Sequence, residues 1–453
     1  MGIFSRRNKD DDSAAWHNKG NALLIQKRYE EAIGCFDETI RINPEDYGAW
    51  HNKGNALAIL ERYEEAIGCY DKAIRIDPEN YDAWFNKGSS LAILERHKEA
   101  IGCFDKAIRI DPENYNAWFT KGSSLAQLER YEEAIECYNE AIRIDPENYY
   151  AWVAKGNSLY NLERHEEAIG CFDKAIRIDP ENYNAWFTKG SSLAQLERYE
   201  EAIECYNEAI RLDSENYYAW RYKGDSLAKL ERHEEAIGCF DEAIRLDPED
   251  FDAWYNKGSS LAQLERYEEA IECYDKAIRI NPEHFSSWGN KGRILAILER
   301  HKEAIECYDK AIRINPENYN AWVAKGTSLA ILERHKEAIG CFDEAIRLNP
   351  EDFDVWYNKG TALAKLERYE EAIECYNEAI RIDPENYNAW VAKGNSLAEL
   401  ERHKEAIECY DEAIRINPED YGAWHNKGNA LAILERYEEA IRCMAKAKEL
   451  DES

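Results

Sequence analysis

No stretch of this 453-residue sequence approaches the roughly 18 consecutive apolar residues that a membrane-crossing helix requires. Its start, Met1-Gly2-Ile3-Phe4-Ser5-Arg6-Arg7, lacks the apolar core of a signal peptide. Arg6 stands where myristoylation wants Ser or Thr. Residues 1–12 are expected to form a disordered charged tail, and the protein to work in the cytoplasm. Positive charge is scarce: 58 Lys and Arg face 90 Asp and Glu, a net charge of −32. That balance repels phosphate backbones and anionic lipid surfaces. Basic residues are also scattered, so neither nucleic acid nor membrane is expected as a partner. There is no C-x-x-C among the 13 cysteines, hence no zinc-site spacing. A Gly-rich phosphate loop, a G-x-S-x-G elbow and a singular Cys/His pairing are missing too. No catalytic residue, metal or cofactor is expected.

What the chain does have is a period. Its 13 tryptophans stand 34 residues apart, from Trp16 to Trp424. The cysteines keep the same step from Cys35 to Cys443, as do the prolines from Pro44 to Pro418, with Ser214 filling one gap. Length alone suggests about three domains, but a pattern recurring this regularly makes one repeat array. Repeats 1 to 13 begin at residues 13, 47, 81, 115, 149, 183, 217, 251, 285, 319, 353, 387 and 421, and the array runs over 13–453. In repeat 2, Trp50, Gly54, Leu57 and Leu60 fall at helical spacing, and Ala66, Ile67, Tyr70, Ala73 and Ile74 do so again. Glu61-Arg62 separates the two halves and Pro78 ends the second. Two helices per repeat are predicted, with Gly54 and Ala66 allowing close approach. A single pair cannot bury its rings alone, so stacking of neighbours must hold the array together.

Trp at position 4 of the repeat, Gly at 8, Ala at 20, an aromatic at 24, Ala at 27 and Pro at 32 resemble the tetratricopeptide repeat. The resemblance covers residues 13–453. It implies an all-α solenoid, a right-handed superhelix of helical hairpins that binds proteins and does not catalyse. Two departures are systematic. Position 7, commonly Leu in that family, is Lys throughout, from Lys19 to Lys427. Its stem is expected to cover the neighbouring hairpin while the ammonium stays wet. Position 15, commonly Gly, is Glu, or Lys27 in repeat 1, which removes the residue that most cheaply turns a helix end. The last repeat carries Met444 and Lys448 where others have an aromatic and an aliphatic residue, a milder outer face. The Glu64-Glu65 pair and its copies open second helices, where the helix dipole favours acids. One buried thiol per repeat reads as apolar filler.

Core positions hardly change from copy to copy, whereas positions 5, 6, 9 and 13 of the first helix do. Steps of four place 5, 9 and 13 on one helical face, with 6 beside them. In the family this face lines a concave groove, which implies peptide binding there. The residues singled out are Asn18, Asn52, Asn86, Asn256, Asn290, Asn358 and Asn426 at position 6. Asn21 and Asn55 join them from position 9, and Phe85, Phe119, Phe187, Tyr255 and Tyr357 from position 5. Position 9 also holds Arg293. A carboxamide can pair with both groups of a peptide bond, and aromatics outside the core can pocket side chains. The carboxylate clamp of some family members needs bases at positions 2, 5 and 6. Only Arg221 qualifies, so no clamp is expected. The expected partner is a protein or peptide, neutral or basic. A structural protein that self-associates end to end is the alternative.

Overall fold

The computed structural model describes residues 3–451, with side chains from residue 11 onward. Among the described residues there are 26 helices and no strand. They form two compact blocks, Met1–Glu231 and Arg232–Ser453. From repeat 2 on, each first helix starts at the first residue of its repeat: Tyr47–Ile59, Tyr81–Ile93, and so on to Tyr421–Ile433. The opening helix runs Ile3–Ile25, so residues 3–12, expected to be a disordered tail, continue the first helix of repeat 1. Residues 1 and 2 lie outside the described residues. No Pro or Gly occurs between Ile3 and Asp12, and extending an existing helix adds one hydrogen bond per residue fixed.

Helix starts are chemically marked. Asp46, Asn80 and their counterparts cap the first helices, with Asp46 Oδ1 accepting from Ala49 N at 2.9 Å. The tryptophan indole then fastens the loop: Trp50 Nε1 donates to the Pro44 carbonyl at 3.0 Å. Because the acceptor is backbone, the bond survives where Pro becomes Ser, from Trp220 to Ser214 at 3.2 Å.

The turn inside each repeat shows how the missing glycine is tolerated. Lys27, Glu61, Glu95 and ten further residues at position 15 all adopt φ between 57° and 60°. The left-handed turn is therefore kept without its glycine. Arg62 N donates to Leu57 O at 2.9 Å and Glu61 N to Ala58 O at 3.0 Å, the paired bonds of a Schellman motif. These bonds over-determine the conformation and offset the cost of roughly 1–2 kcal/mol for a side chain there. Arg62 is anchored in turn, donating through Nε and Nη2 to Glu65, both at 2.7 Å. That contact holds the Glu65 carboxyl below its usual range.

Within a repeat, the second helix presses an aromatic ring into the glycine of the first. A Cβ on Gly54 would lie 2.6 Å from Tyr70 Cε1, and Tyr70 is 1% exposed. Between repeats, position 21 crosses over: Ile33 packs with Leu57, Ala66, Cys69 and Tyr70 of repeat 2. Burying such a side chain contributes about 1.5–3 kcal/mol per junction. Lys53 does more than stay wet: its Nζ lies 2.5 Å from Asp37 Oδ1 of the preceding repeat and 5.9 Å from the centre of the Trp50 ring. The same pair recurs as Lys87–Asp71, Lys189–Asp173, Lys291–Asp275 and Lys427–Asp411, among others.

Candidate peptide-binding face

Positions 5, 6 and 9 project from one side of successive first helices, and the structure determines what each can offer. The aromatics at position 5, expected outside the core, are half-buried. Phe85 stacks on Tyr81, ring centres 5.7 Å apart, and tilts against Phe104 at 5.9 Å. Phe119 does the same with Tyr115 and Tyr138, Phe187 with Tyr183 and Tyr206, Tyr255 with Phe251 and Tyr274, and Tyr357 with Phe353 and Tyr376. Each is the middle ring of a three-ring column made from positions 1, 5 and 24. Such spacings are the favourable range for aromatic pairs, so one side of the ring is spent on the fold and its outer edge remains accessible.

The asparagines also work inside the molecule. Asn52 Nδ2 donates to Asn21 Oδ1 at 2.9 Å, and Asn86 Nδ2 to Asn55 Oδ1 at 3.0 Å. Asn426 Nδ2 donates to Asn395 Oδ1 at 2.9 Å. The acceptor is shared with the ring beneath: Tyr70 Oη donates to Asn55 Oδ1 and Tyr410 Oη to Asn395 Oδ1, both at 2.9 Å. Position 6 of one repeat is thus tied to position 9 of the repeat before it. The donors Asn52 and Asn426 keep an oxygen and one N–H for other use, and the acceptors Asn21, Asn55 and Asn395 keep their N–H groups. Asn86 also meets His51 Nε2 at 3.1 Å, and burial lowers the His51 pKa. Asn18 is exposed and has no partner among the described residues, while Asn358 is half-buried and also without one. Asn256 is half-buried, and Asn290 Nδ2 donates to Tyr255 Oη at 3.0 Å.

Where position 9 is Ser, the ladder stops. Ser89, Ser123, Ser191 and Ser259 turn their hydroxyls back to carbonyls four residues earlier, at 3.0–3.2 Å. The amide-to-amide bonds accordingly stand in repeats 1–3 and 12–13, and the position 5 rings in repeats 3, 4, 6, 8 and 11. Sequence reasoning placed these residues on one face but missed their mutual bonds. The signal was present: Asn at 9 followed 31 residues later by Asn at 6.

The thiols are no reaction centre. All 13 are free and buried, and burial pushes Cys137 and Cys205 up to about 11, away from the thiolate that reactivity needs. Among the described residues, no group of three or more His, Cys, Asp or Glu could hold a metal ion, and no helix is long and apolar enough to cross a membrane.

Comparison with known proteins gives a consistent family. One tetratricopeptide-repeat model matches residues 51–115, 119–183, 187–251, 223–285 and 255–319. Others of the same description match 13–46, 353–386, 387–420, 409–442 and 319–352. No curated protein matches. Among solved structures, YrrB, a TPR protein with an unusual peptide-binding site, is 29% identical over 42% of this chain and 97% of its own, with a TM-score of 0.40. The APC/C hetero-tetramer Cut9–Hcn1 is 16% identical over 92% of this chain and 96% of that one, TM-score 0.38. MamA from Desulfovibrio magneticus RS-1, residue 41 to its end, is 24% identical over 38% and 96%, TM-score 0.37. With tandem helix pairs, the recurring glycine-to-ring contact and family matches along the array, this chain belongs to the tetratricopeptide-repeat family.

Proposed function

We propose that the protein is a non-catalytic scaffold that holds an extended peptide, or a segment of a partner protein, along positions 5, 6 and 9 of its first helices. The family is one of protein-interaction scaffolds, which supports the general role. The observation carrying the specific reading is the amide ladder of Asn21, Asn52, Asn55 and Asn86. It fixes side chains in register between repeats and leaves oxygens and N–H groups directed away from their mutual bonds. An extended main chain carries the complementary pairs. The net charge of −32 favours a partner that is neutral or basic overall.

The test uses peptides selected by display on the full chain. Replacing Asn18, Asn52 and Asn86 by Ala should weaken their binding by about 1 kcal/mol per hydrogen bond lost. The control set is chosen away from ion pairs. Glu65 and Asp71 are unsuitable because they pair with Arg62 and Lys87, so Lys72, Lys106 and Lys174 on second helices serve instead. Loss of binding in the lysine set with retention in the asparagine set would place the ligand on the other side.

A second reading, end-to-end self-association, draws on the last helix, Tyr437–Asp451. Ile441 is 69% exposed there, whereas Ile33 at the same repeat position is 8% exposed. An apolar hollow of about 480 Å³ lies beside it, lined by Ala432, Tyr437, Ile441 and Met444. Light scattering that gives the monomer mass at every concentration removes this reading.

A further inference from the structure

Repeat 9 has the outer two rings of the column seen in repeats 3, 4, 6, 8 and 11, and nothing between them. Phe285 stands at position 1 and Tyr308 at position 24, as in other repeats, but position 5 is Gly289. No other repeat has glycine there. We propose that the gap above Gly289 is the anchor site for an aromatic side chain of the bound peptide, with Arg293 receiving a carboxylate next to that residue. This rests on the peptide-holding role above and specifies one part of its ligand.

The fold gives Gly289 no structural reason to be glycine. Gly292, one turn away, is needed: a Cβ there would lie 2.7 Å from Tyr308 Cε1. A Cβ on Gly289 would meet nothing within 4 Å, and its φ is not in the left-handed region. Glycine inside a helix is disfavoured against alanine, so the position costs stability and returns open space. That space is a cavity of about 490 Å³, whose lining includes Tyr255, Phe285, Asn290, Arg293, Tyr308 and Val323. In repeats 3, 4, 6, 8 and 11 the corresponding volume holds a phenyl or phenol ring some 6 Å from its neighbours on both sides, within the range in which aromatic pairs attract.

The walls are held in place before any ligand arrives. Tyr255 accepts from Asn290 at 3.0 Å and meets the edge of His284 at 5.0 Å. His284 replaces the usual Asn or Asp cap, packs on Phe251 at 4.6 Å and has Nδ1 2.9 Å from Ser287 Oγ. A preformed slot of this kind reduces the ordering that binding would otherwise require. Arg293 is exposed and no carboxylate pairs with it among the described residues, although acids outnumber bases along the chain. A guanidinium so placed matches a carboxylate in two hydrogen bonds. The occupant is therefore a peptide segment with an aromatic residue adjacent to an acidic one, within a ligand that is neutral or basic as a whole.

The experiment is selection from a random peptide display library on the full chain, repeated on Gly289→Phe and on Arg293→Glu. The expected wild-type pool is enriched in an aromatic residue next to Asp or Glu. Peptides from it should bind Gly289→Phe about tenfold to a hundredfold more weakly, since that variant fills the slot with the ring that repeats 3, 4 and 6 carry. Arg293→Glu, a surface change that leaves the fold alone, should keep the aromatic preference and lose the acidic one. A thermal melt of Gly289→Phe no lower than wild type shows that the loss is not misfolding. If both variants bind the wild-type pool within twofold, the slot assignment is wrong while peptide binding stands. A library that yields no enrichment on the wild-type chain overturns both.

Discussion

A Cβ placed on Gly190 would lie 2.8 Å from the ring of Tyr206, whereas one placed on Gly289 would meet nothing within 4 Å. Both residues are in first helices, and both are helical glycines. The first belongs to the seam between the two helices of a repeat, where a ring is fully buried against bare backbone and any side chain would collide. The second belongs to the face that successive first helices present together. In the seam, Gly, Ala and an aromatic ring recur through nearly every copy because each fixes the volume left for the others. On the face, the same helix accepts Phe, Tyr, His, Val, Arg or Gly at position 5, because only one side of that residue is packed. Constancy therefore marks what stacks the repeats, and variation marks where specificity can be written without loss of the fold.

The comparison can be broken most forcefully at the seam. Tyr206→Ala should cost about 3–5 kcal/mol, the transfer and cavity cost of removing a buried ring, read by urea unfolding of the full chain. A cost below 1 kcal/mol would mean that the repeat collapses around the hole and that the seam is not tightly packed. The next effect is smaller and has two signs. Gly190→Ala should destabilise by about 1–3 kcal/mol through overpacking. Gly102→Ala, on a second helix where an added Cβ meets nothing within 4 Å, should stabilise by about 1 kcal/mol from helix propensity. Equal signs for the two would contradict the distinction between required and idle glycines.

The smallest effect concerns the junctions. Position 25 is Asn at Asn139, Asn207 and Asn377, so the lysine of the following repeat has a carboxamide where other junctions have an aspartate. Asn139→Asp supplies the charge facing Lys155 and should raise stability by about 0.5 kcal/mol, a gain lost in 1 M salt. A gain that persists in salt would point to packing instead of charge.

Much of this architecture can be read in the sequence, because the 34-residue period dictates both helices and their partners. Trp50, Gly54, Ala66 and Tyr70 announce the hairpin on spacing alone. What stays hidden depends on contacts between residues whose separation carries no helical signal. The Lys53–Asp37 pair spans sixteen positions across a turn, and sequence reading assigned the ammonium to water. Glu61 is a poor choice for φ of 60° by intrinsic preference, yet the Schellman bonds hold it there. Phe85 reads as an exposed aromatic because its column needs Tyr81 from the same helix and Phe104 from the next. Gly289 draws no notice in a variable column, and only the rings at Phe285 and Tyr308 on either side give its absence of a side chain a meaning.

The central claim is that ligands lie along positions 5, 6 and 9 of the first helices. The most direct measurement is photo-cross-linking of a display-selected peptide to the full chain, with the attachment sites located by mass spectrometry. Attachment to first helices at residues such as Asn52, Phe85, Asn86, Asn290 and Arg293 is the predicted result. Attachment concentrated on second helices, at Lys72, Lys106 or Lys174, would contradict it.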